Sequence, residues 1–158
     1  MAAEVAIDPV AFADKDVLRH LLELYLHDFS EFDGRDLRPH GTYGYRYLDH
    51  YWTEPDRFPF FIRSGGQLAG FALIRFIDGS ADMAEFFVMR KYRRQGVGTE
   101  AARMLFDRFP GRWDIRELST NTPAQKFWRT VIGAYASYEE NVTRDEVSQH
   151  FVSAPRRP

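Results

Sequence analysis

The stretch Phe86-Phe87-Val88-Met89-Arg90-Lys91-Tyr92-Arg93-Arg94-Gln95-Gly96-Val97-Gly98-Thr99 holds the clearest chemistry in this chain. An apolar strand ends, four of the next six residues are basic, and two glycines open a helix. Glycine lets a backbone come close to a ligand. The unpaired N–H groups of a helix N-terminus, backed by the helix dipole, attract an anion. Arg93 and Arg94 add charge that suits a pyrophosphate. The residues therefore predict a diphosphate-containing ligand at the start of this helix.

Two kinds of diphosphate ligand compete. Gly96-Val97-Gly98-Thr99-Glu100-Ala101 fits the dinucleotide fingerprint Gly-x-Gly-x-x-Ala, with Asp114 or Glu117 as the downstream acid. That fingerprint needs its glycines directly after the strand, whereas Arg90 to Gln95 intervene here. It also needs parallel βαβ units, and a hairpin meander precedes this segment. A phosphate loop of the Gly-x-x-x-x-Gly-Lys-Ser/Thr type is absent.

The elements that must position this segment follow from periodicity. Glu4 to Ile7 reads as a first strand. Asp14 is placed to cap a helix from Lys15, in which Val17, Leu18, Leu21, Leu22, Leu24, Tyr25 and Phe29 recur at helical spacing. Arg35 to Gly44 reads as loop and Tyr45 to Trp52 as a short helix. Phe58–Arg63, Leu68–Ile77 and Met83–Met89 are three strands joined by glycine turns. A helix from about Gly96 to Phe109, a strand Trp113–Leu118 and a helix from Pro123 to about Ile132 follow, the last closed by Gly133. Ala134–Val142 and Ser148–Val152 form a closing hairpin, and Ser153 to Pro158 read as a tail. Strands mixed with helices give an α+β class on one mixed sheet. The length of 158 residues suits one domain, 1–158.

Composition removes whole classes of function. The net charge of −2 offers no basic field for nucleic acid or an anionic membrane. The absence of cysteine excludes disulfides, thiolate metal sites and a cysteine nucleophile. The five histidines have no metal-ligand spacing, so no metal site is expected. No apolar run approaches the roughly 20 residues of a membrane span, and no secretory signal is legible, so a cytoplasmic location is expected.

Arg93-Arg94-Gln95-Gly96-Val97-Gly98 resembles the Gln/Arg-x-x-Gly-x-Gly/Ala signature of the GCN5-related N-acetyltransferase (GNAT) superfamily. Downstream, Asn121-Thr122-Pro123-Ala124-Gln125-Lys126-Phe127-Trp128 is similar to that family's Asn-x-x-Ala-x-x-Phe-Tyr helix. The likeness is specific from about Ala69 to Tyr135. It implies a mostly antiparallel sheet of roughly six to seven strands flanked by about four helices. It implies acetyl-CoA as co-substrate. Backbone groups of Phe87, Val88 and Met89 would pair with the pantetheine arm, and amides from Arg94 through Gln95, Gly96, Val97 and Gly98 to Thr99 would hold the pyrophosphate. Asn121 would bond the pantetheine, and Phe127 and Trp128 would line the arm and thioester.

The implied reaction is attack of an amine on the thioester, and the amine must first lose a proton. Glu85, on the strand beside the thioester and on a face with Phe87 and Met89, is the first choice of base, with Asp82 in reserve on the opposite face. The competing role for Glu85 is an ion pair with an arginine such as Arg75. The family's usual thiolate-protonating tyrosine is replaced by Trp128, whose indole is a very poor acid. Tyr135 or Tyr138 is then the candidate acid, or the thiolate leaves unassisted. The acceptor is expected to be a small-molecule or peptide amine, near the acidic and aromatic residues between Asp28 and Trp52. A non-catalytic acyl-CoA sensor on the same scaffold is the alternative, and a homodimer through the closing hairpin is a further expectation by analogy of fold.

Overall fold

The computed structural model describes residues 2–155. Three apolar strands, β2 (Arg57–Ser64), β3 (Gln67–Ile77) and β4 (Ser80–Val88), form its antiparallel centre. Their turns, Gly65-Gly66 and Asp78-Gly79, have positive φ at both central residues. That geometry matches the natural twist of the strands it joins. Before them run β1 (Val5–Pro9), α1 (Lys15–Asp33) and α2 (His50–Thr53). After them come α3 (Val97–Arg108), β5 (Gly111–Leu118), α4 (Thr122–Tyr135), β6 (Tyr138–Val142) and β7 (Glu146–Ser153).

The strands make one sheet in the order β1-β2-β3-β4-β5-β7-β6. Every neighbouring pair is antiparallel except β4 with β5. The α+β single-sheet class and the order of elements agree with the sequence reading. Leu18, Leu21 and Leu22 of α1 and Tyr51 of α2 pack with Phe61, Phe71, Leu73 and Phe87 on one face. On the other face, Leu105 and Phe106 of α3 and Trp128 and Ile132 of α4 enclose Ile74, Trp113 and Phe151.

Several boundaries differ from expectation for local reasons. The helix expected over Tyr45 to Trp52 begins only at His50, because the Glu23 carboxylate holds the N–H groups of Tyr43 (2.8 Å) and Gly44 (2.9 Å) in the approaching loop. The α1 stripe is narrower than its apolar residues suggest, since Val17 and Leu24 are exposed. Asp14 precedes α1 but makes no side-chain cap, being the end of a short 3-10 turn, Phe12–Asp14. Gly133 lies inside α4, which continues to Tyr135 because Val131, Ile132 and Tyr135 pack on the core. Packing here overrides glycine's low helix propensity. The expected tail starts late: Ser153 belongs to β7 and its hydroxyl donates to Phe106 O. Residues 156–158 of that tail lie outside the described residues. Among the described residues no helix is long and apolar enough to cross a membrane.

Phe106 is fully buried against Trp113, Tyr135 and Phe151. Phe106→Ala is expected to cost about 3–5 kcal/mol in urea denaturation, through lost transfer energy and the cavity left behind. A cost below about 1 kcal/mol would mean this cluster does not anchor α3 to the sheet.

Candidate active site

The site begins where the sheet comes apart. β4 and β5 pair only at Ala81 with Trp113 and Asp82 with Asp114. Further along β4 a bulge intervenes: Leu73 opposes Glu85 while Ile74 opposes Met83, leaving Ala84 as the extra residue. A bulge bends a strand and increases its twist. Beyond it β4 and β5 diverge, and a cleft of about 210 Å³ opens between them. Tyr25, Glu85, Glu117, Asn121 and Trp128 line it, so it is reached from both faces of the sheet. A wider, open hollow of about 780 Å³ lies over β5, β6 and β7 and contains neither Glu85 nor the residues expected to hold CoA.

The bulge also decides which way Glu85 points. Strict alternation puts Asp82 and Glu85 on opposite faces. The extra residue brings them to the same face, since each opposes an alternate residue of β3, Arg75 and Leu73. There Arg75 Nε donates to Asp82 Oδ2 at 2.6 Å. Arg75 thus pairs with Asp82, and Glu85 is left to other partners. Tyr25 donates to Glu85 Oε2, and Tyr45 donates to Oε1 at 3.4 Å. Loss of solvent pushes the Glu85 carboxyl from near 4.5 up to about 7, against the opposing pull of both tyrosine hydroxyls. Tyr25 is itself pushed well above its usual value, by burial first and then by Glu85. Its hydroxyl stays protonated and remains a donor.

The loop before α3 is built mostly from its own contacts. Arg93 Nε donates to Val88 O at 2.8 Å, and its guanidinium reaches Asp28 Oδ2 at 2.7 Å. Arg90 binds the other oxygen of Asp28 at 2.9 Å. Arg93 therefore ties the end of β4 to α1, and its charge is already paired. Gln95 closes the turn by donating to Lys91 O at 2.8 Å. Arg94 has a φ of 60° and no charged partner among the described residues. Gly96 has a φ of 79°, which glycine adopts without strain. Glu100 N donates to Gly96 O at 3.0 Å, and no hydrogen bond among the described residues uses the N–H groups from Arg94 to Thr99. Six consecutive amides before and at the head of a helix are thus left without an intramolecular partner among the described residues, a geometry that suits an anion. Gly98 packs tightly: a Cβ there would lie 3.2 Å from the Phe127 ring. That glycine lets α3 close on α4.

α4 supplies the opposite wall. Asn121 caps it, its Oδ1 accepting from Ala124 N at 3.1 Å. That bond leaves the Asn121 amide NH2 unpaired among the described residues, on the cleft wall. Phe127 stacks on Phe86 at 5.9 Å, and Trp128 meets the same ring edge-on at 5.0 Å. Phe87 faces the α1 side and Met89 packs near it, whereas Val88 packs on the α3 side. Tyr135 is not brought to the cleft. It sits at the far end of α4, where its hydroxyl donates to Asp107 at 2.7 Å and meets Ser153 at 2.9 Å.

Part of the acidic and aromatic region between Asp28 and Trp52 has structural partners. Asp28 holds Arg90 and Arg93, Asp33 holds Arg35, and Trp52 Nε1 donates to Val10 O at 2.9 Å. Two tyrosines of the N-terminal half nevertheless reach the site. Tyr25 stood in the apolar stripe of α1 and Tyr45 at the start of the expected short helix, and nothing local marks either as a partner of Glu85. Glu117, which the sequence offered only as a downstream acid of the dinucleotide fingerprint, is the other residue the structure brings to the cleft. It alternates with Trp113 and Ile115 on β5, so its inward direction was legible, although its carboxyl was not expected in the cleft.

A family model described as the acetyltransferase (GNAT) family matches residues 18–134. An acetyltransferase from Thermus thermophilus shares the fold with a TM-score of 0.74 at 16% identity, covering 96% of this chain and 99% of that one. Spermidine N-acetyltransferase from Vibrio cholerae, solved with CoA and spermine, aligns with a TM-score of 0.70 at 10% identity over 94% and 95% of the two chains. Ribosomal-protein-S18-alanine N-acetyltransferase from Escherichia coli gives 0.66 at 13% identity over 98% and 97%. No curated protein matches the sequence.

The raised pKa of Glu85 has a direct consequence for stability. Between about pH 4.5 and pH 7 the folded chain keeps a proton that the unfolded chain has lost. Its contribution is present in full below pH 4.5 and disappears as pH rises through 7. Glu85→Gln removes that dependence. Its stability relative to the wild-type chain should therefore improve by on the order of 2 kcal/mol from pH 4.5 to pH 8, measured by urea denaturation. A difference that stays flat with pH would show that Glu85 ionises as if in water.

Proposed function

We propose that this chain, which belongs to the acetyltransferase (GNAT) family, transfers an acetyl or similarly short acyl group from acetyl-CoA to an amine. The observation that carries this reading is the placement of Glu85. It lies in the gap between β4 and β5, held by two tyrosine hydroxyls and with its pKa near neutrality. A group with that pKa is half ionised at neutral pH and can take a proton from an ammonium and release it again. The free amine then attacks the thioester carbonyl, and the C–S bond breaks.

The remaining residues serve binding. The amides from Arg94 to Thr99, with Gly96 turned to open the helix, hold the pyrophosphate. Arg94 supplies free charge, while Arg93 and Gln95 keep the loop in shape. Backbone groups of Phe87, Val88 and Met89 run beside the pantetheine arm, the free Asn121 amide bonds it, and Phe127 and Trp128 cover it. Val97 buries its side chain under this loop and fixes the direction of α3. Trp128 beside Phe86 leaves little room for a long acyl chain. Related folds that act on spermidine and on a ribosomal protein support keeping small-molecule and peptide amines as acceptor classes. A second reading, a CoA-binding sensor without turnover, draws on Trp128 at the family's tyrosine position and on the distance of Tyr135 from the cleft.

CoA and acetyl-CoA at about 100 times Kd should raise the melting temperature by several degrees, since binding the folded state adds about 2.7 kcal/mol. NAD should not. An amine panel scored by thiol release then separates enzyme from sensor. Glu85→Gln should keep the CoA shift and lose turnover by about 10²–10⁴-fold. In the wild-type chain kcat/KM should fall as pH drops below 7, where Glu85 becomes protonated. The absence of any shift with CoA would sink the reading.

A further inference from the structure

Glu117 has no role in the chemistry described so far. Its residue is 5% exposed and is one of those that line the cleft. Gln149 Nε2 donates to its Oε1 at 2.8 Å. Its Oε2 is buried and has no hydrogen-bond partner among the described residues, and neither has Gln149 Oε1. Buried polar atoms without partners are few in folded proteins, and each calls for an explanation. Burial, and then the neighbouring Glu140 and Glu146 carboxylates, push Glu117 up to about 7 against the donated hydrogen bond. Near neutral pH the Glu117 carboxyl therefore carries a proton much of the time and can act as a donor.

The position of that donor matters. Glu85 lies on the α1 side of the gap, with Tyr25 and Tyr45. Glu117 alternates with Trp113 and Ile115, on the side covered by α4, from which Trp128 and Asn121 enter the same cleft. A thioester lying between β4 and β5 would thus have one carboxyl group on each side. The side of Glu117 is also the side on which Trp128 replaces the expected acid.

Resting on the acetyltransferase reading above, we propose that Glu117 is the proton donor to the departing CoA thiolate. The amine nitrogen forms the bond to the carbonyl carbon. As the C–S bond breaks, its electron pair goes to sulfur, which takes the Oε2 proton. The ammonium substrate sheds two protons, the first to Glu85. Through solvent, one equivalent restores Glu117 and the other is released. The products are amide and CoA thiol, and no oxidant or further reactant is required. Glu117 and Glu85 then divide the work of acid and base, as pairs of titratable groups in different surroundings can.

The test uses CoA itself and needs no acceptor. With CoA bound, confirmed by its thermal shift, the ultraviolet absorbance of the thiolate is titrated through the alkaline range where alkyl thiols ionise. A Glu117 carboxylate beside the sulfur disfavours a second negative charge, so the bound thiol should ionise later than free CoA. Glu117→Gln should move that titration down by on the order of one pKa unit, while Glu85→Gln moves it less. A bound thiol that titrates like free CoA overturns the proposal without any variant, which covers the case of a misfolded Glu117→Gln. The same pKa in wild type and Glu117→Gln also overturns it and leaves the acetyltransferase reading intact. Loss of CoA binding by the wild-type chain would instead strike at that reading.

Discussion

The extra residue at Ala84 governs most of what is distinctive in this molecule. A regular β4 would extend its pairing with β5, and the sheet would close into a continuous floor. With Ala84 inserted, pairing stops after two residues and the twist carries the strands apart. Backbone groups that a sheet would have consumed are left facing a gap. The same insertion turns Glu85 onto the face of Asp82, so that two acidic side chains share a face but have separate partners. One local irregularity thereby makes a cleft and aims a carboxyl group at it.

The surroundings of the two carboxylates on that face explain why they behave differently. Asp82 is buried but has an arginine at 2.6 Å, and a buried charge is tolerated when it is paired. Glu85 has only neutral hydroxyls. Hydroxyl donors stabilise its charged form less than a guanidinium would, and burial wins. Glu117 meets a similar environment on the other face, with an amide as its only donor among the described residues. A chain under selection for stability alone would pair these groups or replace them with apolar ones. Keeping two unpaired carboxyl groups at one break in a sheet is the kind of local inconsistency that marks a functional site.

The fold was largely legible because its signals are local. The glycine turns, the apolar alternation of β2 to β4 and the Asn121-Thr122-Pro123 helix start each depend on residues within a few positions of one another. The glycine turn that opens α3 was legible for the same reason, since Gly96 and the basic residues before it lie in one loop. The rest depends on long-range geometry. Nothing near Ala84 announces a bulge, and a reading of period two carries Asp82 to the wrong face. Tyr25 meets Glu85 across 60 positions of chain, so its hydroxyl looked like part of an apolar stripe. The close approach of Gly98 to the Phe127 ring joins residues 29 positions apart and was likewise not legible. Tyr135 was placed by its type, and its hydroxyl has found partners on Asp107 and Ser153 instead.

Asp28 and Tyr25 lie three residues apart on α1, hence on one side of one helical turn. Asp28 grips Arg90 and Arg93 of the glycine loop, and Tyr25 grips Glu85. A rigid helical turn therefore joins the loop that would meet an incoming anion to the hydroxyl that steadies the carboxyl group. If the loop shifts as its amides acquire a ligand, the movement reaches Tyr25 without passing through the cleft. By linkage, any such influence runs equally in the other direction: whatever loads Glu85 alters the grip on the loop. In this chain one turn of the first helix touches both the glycine loop and Glu85, which are distant from it in sequence.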